Sequence, residues 1–151
     1  MPVDYHLKLM KEALVLARQA VNENEVPVGA VVAMDGEIIG RGFNKPIQTS
    51  DPTAHAEIQA LREAAKHCGN YRLPEATLVV TLEPCAMCAG AIIQSRLERL
   101  VFGAYDTKSG ACGSIIDLFH GHGLNHHTAV VTGVMQEQCA GILKDFFRAR
   151  R

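Results

Sequence analysis

The stretch Thr81-Leu82-Glu83-Pro84-Cys85-Ala86-Met87-Cys88-Ala89-Gly90 limits the possible folds of this chain more than any other. Cys85 and Cys88 are three apart, a spacing that puts both on one face of a helix. Pro84 suits the first position of that helix, where no intrahelical N–H is lost. The preceding run Leu78–Leu82 reads as a buried strand. The two thiols are therefore expected where a strand ends and a helix begins. A helix N-terminus carries partial positive charge and favours thiolate over thiol. Thiolates bind zinc, but two cannot complete a tetrahedral site. Other parts of the chain must supply what is missing.

With 151 residues the chain has room for one domain with a proper core, and residues 1–151 are read as that single domain. A net charge of −1 excludes a global basic field, so any nucleic acid would be held by a local patch. The cysteine count is five, an odd number, and Asp4, Lys8, Lys11 and Glu12 interrupt any secretory pattern. Reduced thiols and a cytoplasmic location are expected. No apolar run reaches the roughly 18 residues of a membrane span.

Leu7, Met10, Leu14, Ala17 and Val21 mark an amphipathic helix over 4–22, and Val26-Pro27 cannot continue it. Residues 28–34 and 37–44 read as a hairpin around Asp35-Gly36. The glycines of the return strand point to a bulge or close packing. Residues 45–50 read as loop. Asp51-Pro52-Thr53 reads as a helix start, with the helix running from 54 to 66 and burying Ile58, Leu61 and Ala65. A strand over 76–83 leads into a helix over 85–95 with no charge up to Ile93, so that helix is expected to be enclosed. A strand follows at 99–104. Residues 105–127 are loop-rich with one helical turn at 115–119. A strand over 128–134 and a helix over 136–151 complete the chain. Alternating strands and helices predict a three-layer α/β/α domain with a five-stranded mixed sheet.

His55 and the two cysteines open consecutive helices. One imidazole and two thiolates leave the fourth zinc position to water, which is the catalytic arrangement; four protein ligands make a structural site. Zinc lowers the pKa of its water to about 7, and a second group must then move protons. Glu57 lies two residues beyond His55, and at a helix's first turn both can border one pocket. A carboxylate there suits a proton shuttle. Each motif alone is ambiguous. C-x-x-C also serves redox pairs, although a redox pair has no use for His55 or Glu57. A structural site would draw its fourth ligand from Cys112, Cys139, His120, His122, His126 or His127. The plain reading of the His120–His127 stretch is exposed loop histidines.

His55-Ala56-Glu57 with Pro84-Cys85-Ala86-Met87-Cys88 resembles the H-x-E…P-C-x-x-C signature of the zinc-dependent nucleoside deaminases. The similarity extends to 25–30, 51–57, 70–73, 81–91, 101–104, 125–126 and 146–148, which look like the bacterial tRNA-specific adenosine deaminases. That resemblance implies a cytidine-deaminase-like fold and a homodimer holding one zinc ion per subunit. It implies conversion of the wobble adenosine in the anticodon arm of an arginine tRNA to inosine. His55, Cys85 and Cys88 would bind zinc, and Glu57 would act as general acid and base. Asn44 would hydrogen-bond the flipped base, with Val28, Ala56 and Leu82 lining its pocket. Asp106 and Lys108 would meet anticodon nucleotides, and His120, Asn125 and His126 would fall in another RNA-facing loop. Phe146, Phe147, Arg148, Arg150 and Arg151 would contact bases or phosphates. Residues 144–151 hold four basic groups beside two aromatics, a combination that suits phosphate contact and base stacking. The plain alternative packs both rings in the core, and Phe146 is read that way. Two rivals stand. A deaminase of free guanine or cytosine shares the zinc signature but has no use for the basic tail. A non-catalytic zinc-stabilised RNA-binding domain requires a fourth ligand.

Overall fold

Three strands of this chain are apolar on both faces, so helices must cover both sides of their sheet. The computed structural model describes residues 3–120 and 126–150. The elements in chain order are α1 (Val3–Asn22), β1 (Gly29–Met34), β2 (Glu37–Phe43), α2 (Pro46–Thr49), α3 (Ala56–Cys68), β3 (Thr77–Leu82), α4 (Ala86–Gln94), β4 (Arg99–Ala104), β5 (Ala129–Val131) and α5 (Gln136–Arg148). The strands lie in the order β2-β1-β3-β4-β5. β1 runs antiparallel to β2 and β3, whereas β4 is parallel to β3 and β5. Ala30, Val32, Leu78, Val80, Leu100 and Phe102 share one core with Ala60 and Ala64 of α3 and Ala89 and Ile92 of α4. The alternate residues Val31, Val79 and Val101 share a second core with Leu9, Met10 and Ala13 of α1 and Cys139 of α5. The α/β/α layering with a five-stranded mixed sheet thus follows from strand alternation.

The hairpin shows both devices expected of its glycines. Its register shifts between Val32 and Ala33, the mark of a bulge. A Cβ at Gly40 or Gly42 would run into the carbonyl of Ala60 or Ala56, so β2 carries α3 on bare backbone. The same effect moves the buried stripe of α1. Its seam runs through His6, Met10, Ala13, Ala17 and Ala20, with Leu7 and Val21 only half-buried. Gly29 sits hard against Ala13 and Ala17, and that close approach sets the seam.

Other departures have local causes. Residues 46–49 form a helical turn because the buried Glu25 carboxylate accepts the N–H groups of Ile47 (3.3 Å) and Gln48 (2.7 Å). Asp51 does not cap α3; its carboxylate takes the N–H (2.8 Å) and hydroxyl (2.7 Å) of Thr53 in a local turn. α3 begins later, with His55 as its N-cap. A bridge between Cys112 and Asp117 replaces the turn expected at 115–119. β5 is short because Gly133 (φ 78°) and Met135 (φ 55°) take the left-handed conformation. α4 is covered on one side only: Cys88, Ala89 and Ile92 are buried, while Ala86, Met87 and Gln94 are exposed.

Candidate active site

α3 starts at the same end of the sheet at which the central strand β3 stops and α4 begins. His55 and Cys85 are the N-caps of their helices, both with extended backbone (φ −74°, ψ 155° and φ −76°, ψ 178°). Pro84 therefore precedes the cap instead of filling the first helical position. Cys88 lies on the first turn of α4, fully buried. His55 Nδ1 is 3.6 Å from the sulfur of Cys85 and 3.6 Å from that of Cys88. Zinc–sulfur and zinc–nitrogen bonds of about 2.3 and 2.0–2.1 Å at a tetrahedral angle require an N···S separation of roughly 3.6 Å. The donor set and its spacing thus fit a zinc ion.

Among the described residues His55, Cys85 and Cys88 form the one His/Cys/Asp/Glu group spaced to hold a metal, and it has three members. The other sequence candidates lie elsewhere. Cys139 is in the core on the opposite face of the sheet. The Cys112 sulfur faces the carbonyl of Pro84 at 3.9 Å. His120 pairs with Asp117 at 2.7 Å. His126 Nε2 is 2.7 Å from the carbonyl of Leu97, which also accepts from the Thr128 hydroxyl at 2.9 Å. His127 is exposed. His122, like Asn125 and Arg151, lies outside the described residues.

Hydrogen bonds from Cys88 and then His55 hold the Cys85 thiol down to about 3. The Cys88 thiol is pushed up instead, by its bond to Cys85 and by burial. His55 is raised too, chiefly by its bond to Cys85. His55, Cys85 and Cys88 would give up their protons on binding a metal cation. Glu57 is 4% exposed. Burial pushes its carboxyl up to about 7, and the nearby Cys85 charge adds to that. A carboxyl poised there can both give and take a proton near neutrality.

His55, Cys85 and Glu57 line a cleft of about 310 Å³ together with Val26, Val28 and Leu82. Asn44 lines it as well. Its Oδ1 accepts the Ala56 N–H at 2.8 Å, so its amide NH2 is the part left to act as a donor. Ala56 does not line the cleft as expected. It is fully buried beneath Gly42, and its contribution is the N–H that orients Asn44. The cleft shares Val26, Leu82, Asp106 and Ser109 with a larger one of about 650 Å³, which reaches Lys108, Lys144, Phe147 and Arg148.

Asp106 shapes its own loop, accepting the N–H groups of Lys108 (3.0 Å) and Ser109 (3.1 Å). At the C-terminus the two aromatics divide: Phe146 is 7% exposed and Phe147 47%. Arg148 lines the larger cleft. Arg150 does not. Its guanidinium stacks 3.5 Å from the Phe146 ring centre and donates to the carbonyl of Phe146 and to Asn24 Oδ1, each at 3.2 Å, tying α5 to the end of α1. Arg150 thus has partners inside the protein. His126 likewise has a partner inside the protein, the Leu97 carbonyl.

One residue escapes a sequence reading. Glu83, 2% exposed, accepts the N–H groups of Asp106 (3.0 Å), Cys112 (3.0 Å) and Ser114 (3.1 Å) and the hydroxyl of Ser114. It thereby fastens the 105–114 loop to the strand end beside Cys85. The available signal was an acidic residue closing an apolar run. Glu83→Gln should turn an amide NH2 toward these donors and cost about 1–3 kcal/mol. Hydrogen exchange should show lost protection at Asp106, Cys112 and Ser114. Unchanged protection there would mean that the carboxylate does not hold the loop.

The family described as MafB19-like deaminase matches residues 4–151. The chain is 53% identical over 149 residues to the tRNA-specific adenosine deaminase of Haemophilus influenzae, with 98% of this chain and 86% of that protein covered. The Bacillus subtilis tRNA-specific adenosine deaminase is 48% identical over 142 residues, covering 94% and 88%. A solved structure from a study of A-to-I editing by tRNA:A34 deaminases at the wobble position of transfer RNA superposes with a TM-score of 0.87 at 45% identity. The match covers 90% of this chain and 99% of that one. The cytidine-deaminase-like fold expected from the sequence is the fold of that neighbour.

Proposed function

Because this chain belongs to the tRNA-specific adenosine deaminase family, we propose that it deaminates the wobble adenosine of an arginine tRNA to inosine. The observation that carries this reading is the run of one cleft into the next. His55, Cys85 and the buried Glu57 line the smaller cleft, and Lys108, Lys144, Arg148 and the exposed Phe147 line the larger one that shares residues with it. Bound to His55, Cys85 and Cys88, a zinc ion would supply an activated water at neutral pH. The reaction consumes water and releases ammonia. Glu57 takes one proton from the attacking water and passes it to N1 of the adenine, then carries the second water proton to the departing amine as the C6–N bond breaks and the C6–O bond remains. Val28 and Leu82 hold the ring, and the Asn44 amide donates to N7, an acceptor on adenine. The base must leave its stack to reach this depth, which costs little in an anticodon loop. Lys108 and Arg148 meet phosphates and Phe147 offers a stacking face, while Asp106 orients the loop. His120 and Asn125 border the RNA in the same reading.

Residues 1–151 act as one catalytic domain in the cytoplasm; no described helix is long and apolar enough to cross a membrane. The enzyme works as a homodimer with one zinc ion per subunit, and the uncovered side of α4 around Met87 is the face a second subunit would cover. The deciding experiment incubates zinc-loaded protein with an arginine tRNA anticodon stem-loop and measures inosine. Stoichiometric inosine is expected; none would sink the proposal. Activity on free guanine or cytosine without activity on RNA would favour the free-base rival.

A further inference from the structure

The catalytic clefts leave one charged surface unused. On the outer side of α3, a separate cleft of about 510 Å³ is lined by Arg41, Lys45, Arg62 and Lys66, with Glu63 as its single acid. The chain as a whole carries −1, so a local surplus of about three positive charges is a marked concentration. The acids nearby do little to cancel it. One Glu63 oxygen accepts the Arg41 backbone N–H at 3.2 Å. Asp51 approaches Arg62 at 4.0 Å, with both groups well exposed, a weak pairing in water. Lys45 is held in place, its ammonium 4.6 Å over the Phe43 ring. Basic residues on β2 alone would read as protection of a sheet edge. Arg62 and Lys66 come from a helix instead, and all four converge on one concavity.

The cleft adjoins the catalytic one through neighbouring residues. Asn44 lines the catalytic cleft and Lys45 the basic one; His55 caps α3, and Gln59, one turn on, lines the basic cleft. From His55 to Lys66 the helix rises about 16 Å. That is too far for the target nucleotide and within reach of phosphates farther along the same RNA. We infer that this cleft is a second phosphate-binding surface, which grips the tRNA backbone outside the anticodon loop while the wobble base is in the active site. The inference rests on the tRNA reading above for its ligand.

The test uses the full chain, zinc-loaded, with full-length arginine tRNA. Arg41→Gln/Lys66→Gln and the quadruple variant adding Lys45→Gln and Arg62→Gln are compared with wild type and with Lys11→Gln, an exposed charge on α1. Each phosphate contact contributes roughly 0.7–0.9 to the slope of log affinity against log salt. The double variant should flatten that slope by about 1.5 and the quadruple by about 3, with KM raised roughly 10-fold or more at low salt. The loss should vanish at saturating tRNA, and Lys66→Arg should restore the slope. Far-UV circular dichroism checks folding, and the double variant carries the test if the quadruple fails to fold. Slopes and KM equal to those of Lys11→Gln would overturn the inference. If wild type makes no inosine, the proposed reaction fails, yet the salt slope of tRNA binding still decides this surface on its own.

Discussion

Glu57→Ala should lower turnover by roughly 10²- to 10⁴-fold while leaving one zinc ion per chain. General acid–base groups contribute on that scale, and Glu57 is a buried carboxyl lining the cleft beside His55 and Cys85. The three-membered donor group does not include it. Removing a carboxyl whose burial lifts it to about 7 also removes a group that is costly to ionise inside the protein. The variant should therefore unfold at a similar denaturant concentration, so that lost activity cannot be put down to lost structure. Zinc content by atomic emission and single-turnover rates on the stem-loop are the two measurements. Zinc lost together with activity would make Glu57 a ligand, and the proton-shuttle role would be wrong.

Cys88→Ala should remove metal and activity together. Cys88 is fully buried, and its sulfur completes the set around His55 Nδ1 at 3.6 Å. Even outer-shell partners of a metal are worth 10–100-fold in affinity, so deleting a ligand should weaken binding by more than about 100-fold. The stability consequence comes from linkage. A metal present at 100 times its dissociation constant stabilises the fold by about 2.7 kcal/mol. Chelation should lower the wild-type Tm and leave that of the variant unmoved, apart from a small cavity term common to both measurements. Deamination at the wild-type rate after complete chelation would refute a metal-dependent reaction.

The fold was legible wherever the signal was local. The apolar strands expected at 28–34, 76–83 and 99–104 appear as Gly29–Met34, Thr77–Leu82 and Arg99–Ala104, with the hairpin at Asp35-Gly36 between β1 and β2. The glycine-rich return strand has its bulge. The two helices that carry the donors are also present, but their starts are displaced: α3 begins at Ala56 with His55 as its cap, not at Asp51-Pro52-Thr53, and Cys85 caps α4 with Pro84 before it. What escaped was non-local. Glu83 reaches donors 23, 29 and 31 residues ahead, and Glu25 stabilises a helical turn more than twenty residues on. Neither partner set has a spacing that a sequence window can show. Arg148 and Arg150 look alike in the sequence, yet one lines a cleft and the other is spent on Asn24, 126 residues away.

By itself, then, the sequence determined the α/β/α layering and the three donors with their carboxyl. Hydrophobic period and helix capping act over a few residues and do not depend on distant partners. Only the tertiary structure decided that Asn44 turns its amide to the cleft, that Glu83 clamps the adjoining loop, and that four scattered cations meet on the outer side of α3. Those depend on which buried donors and acceptors the sheet brings together. A buried polar group must be paired, and the pairing exists only once the chain has folded back on itself.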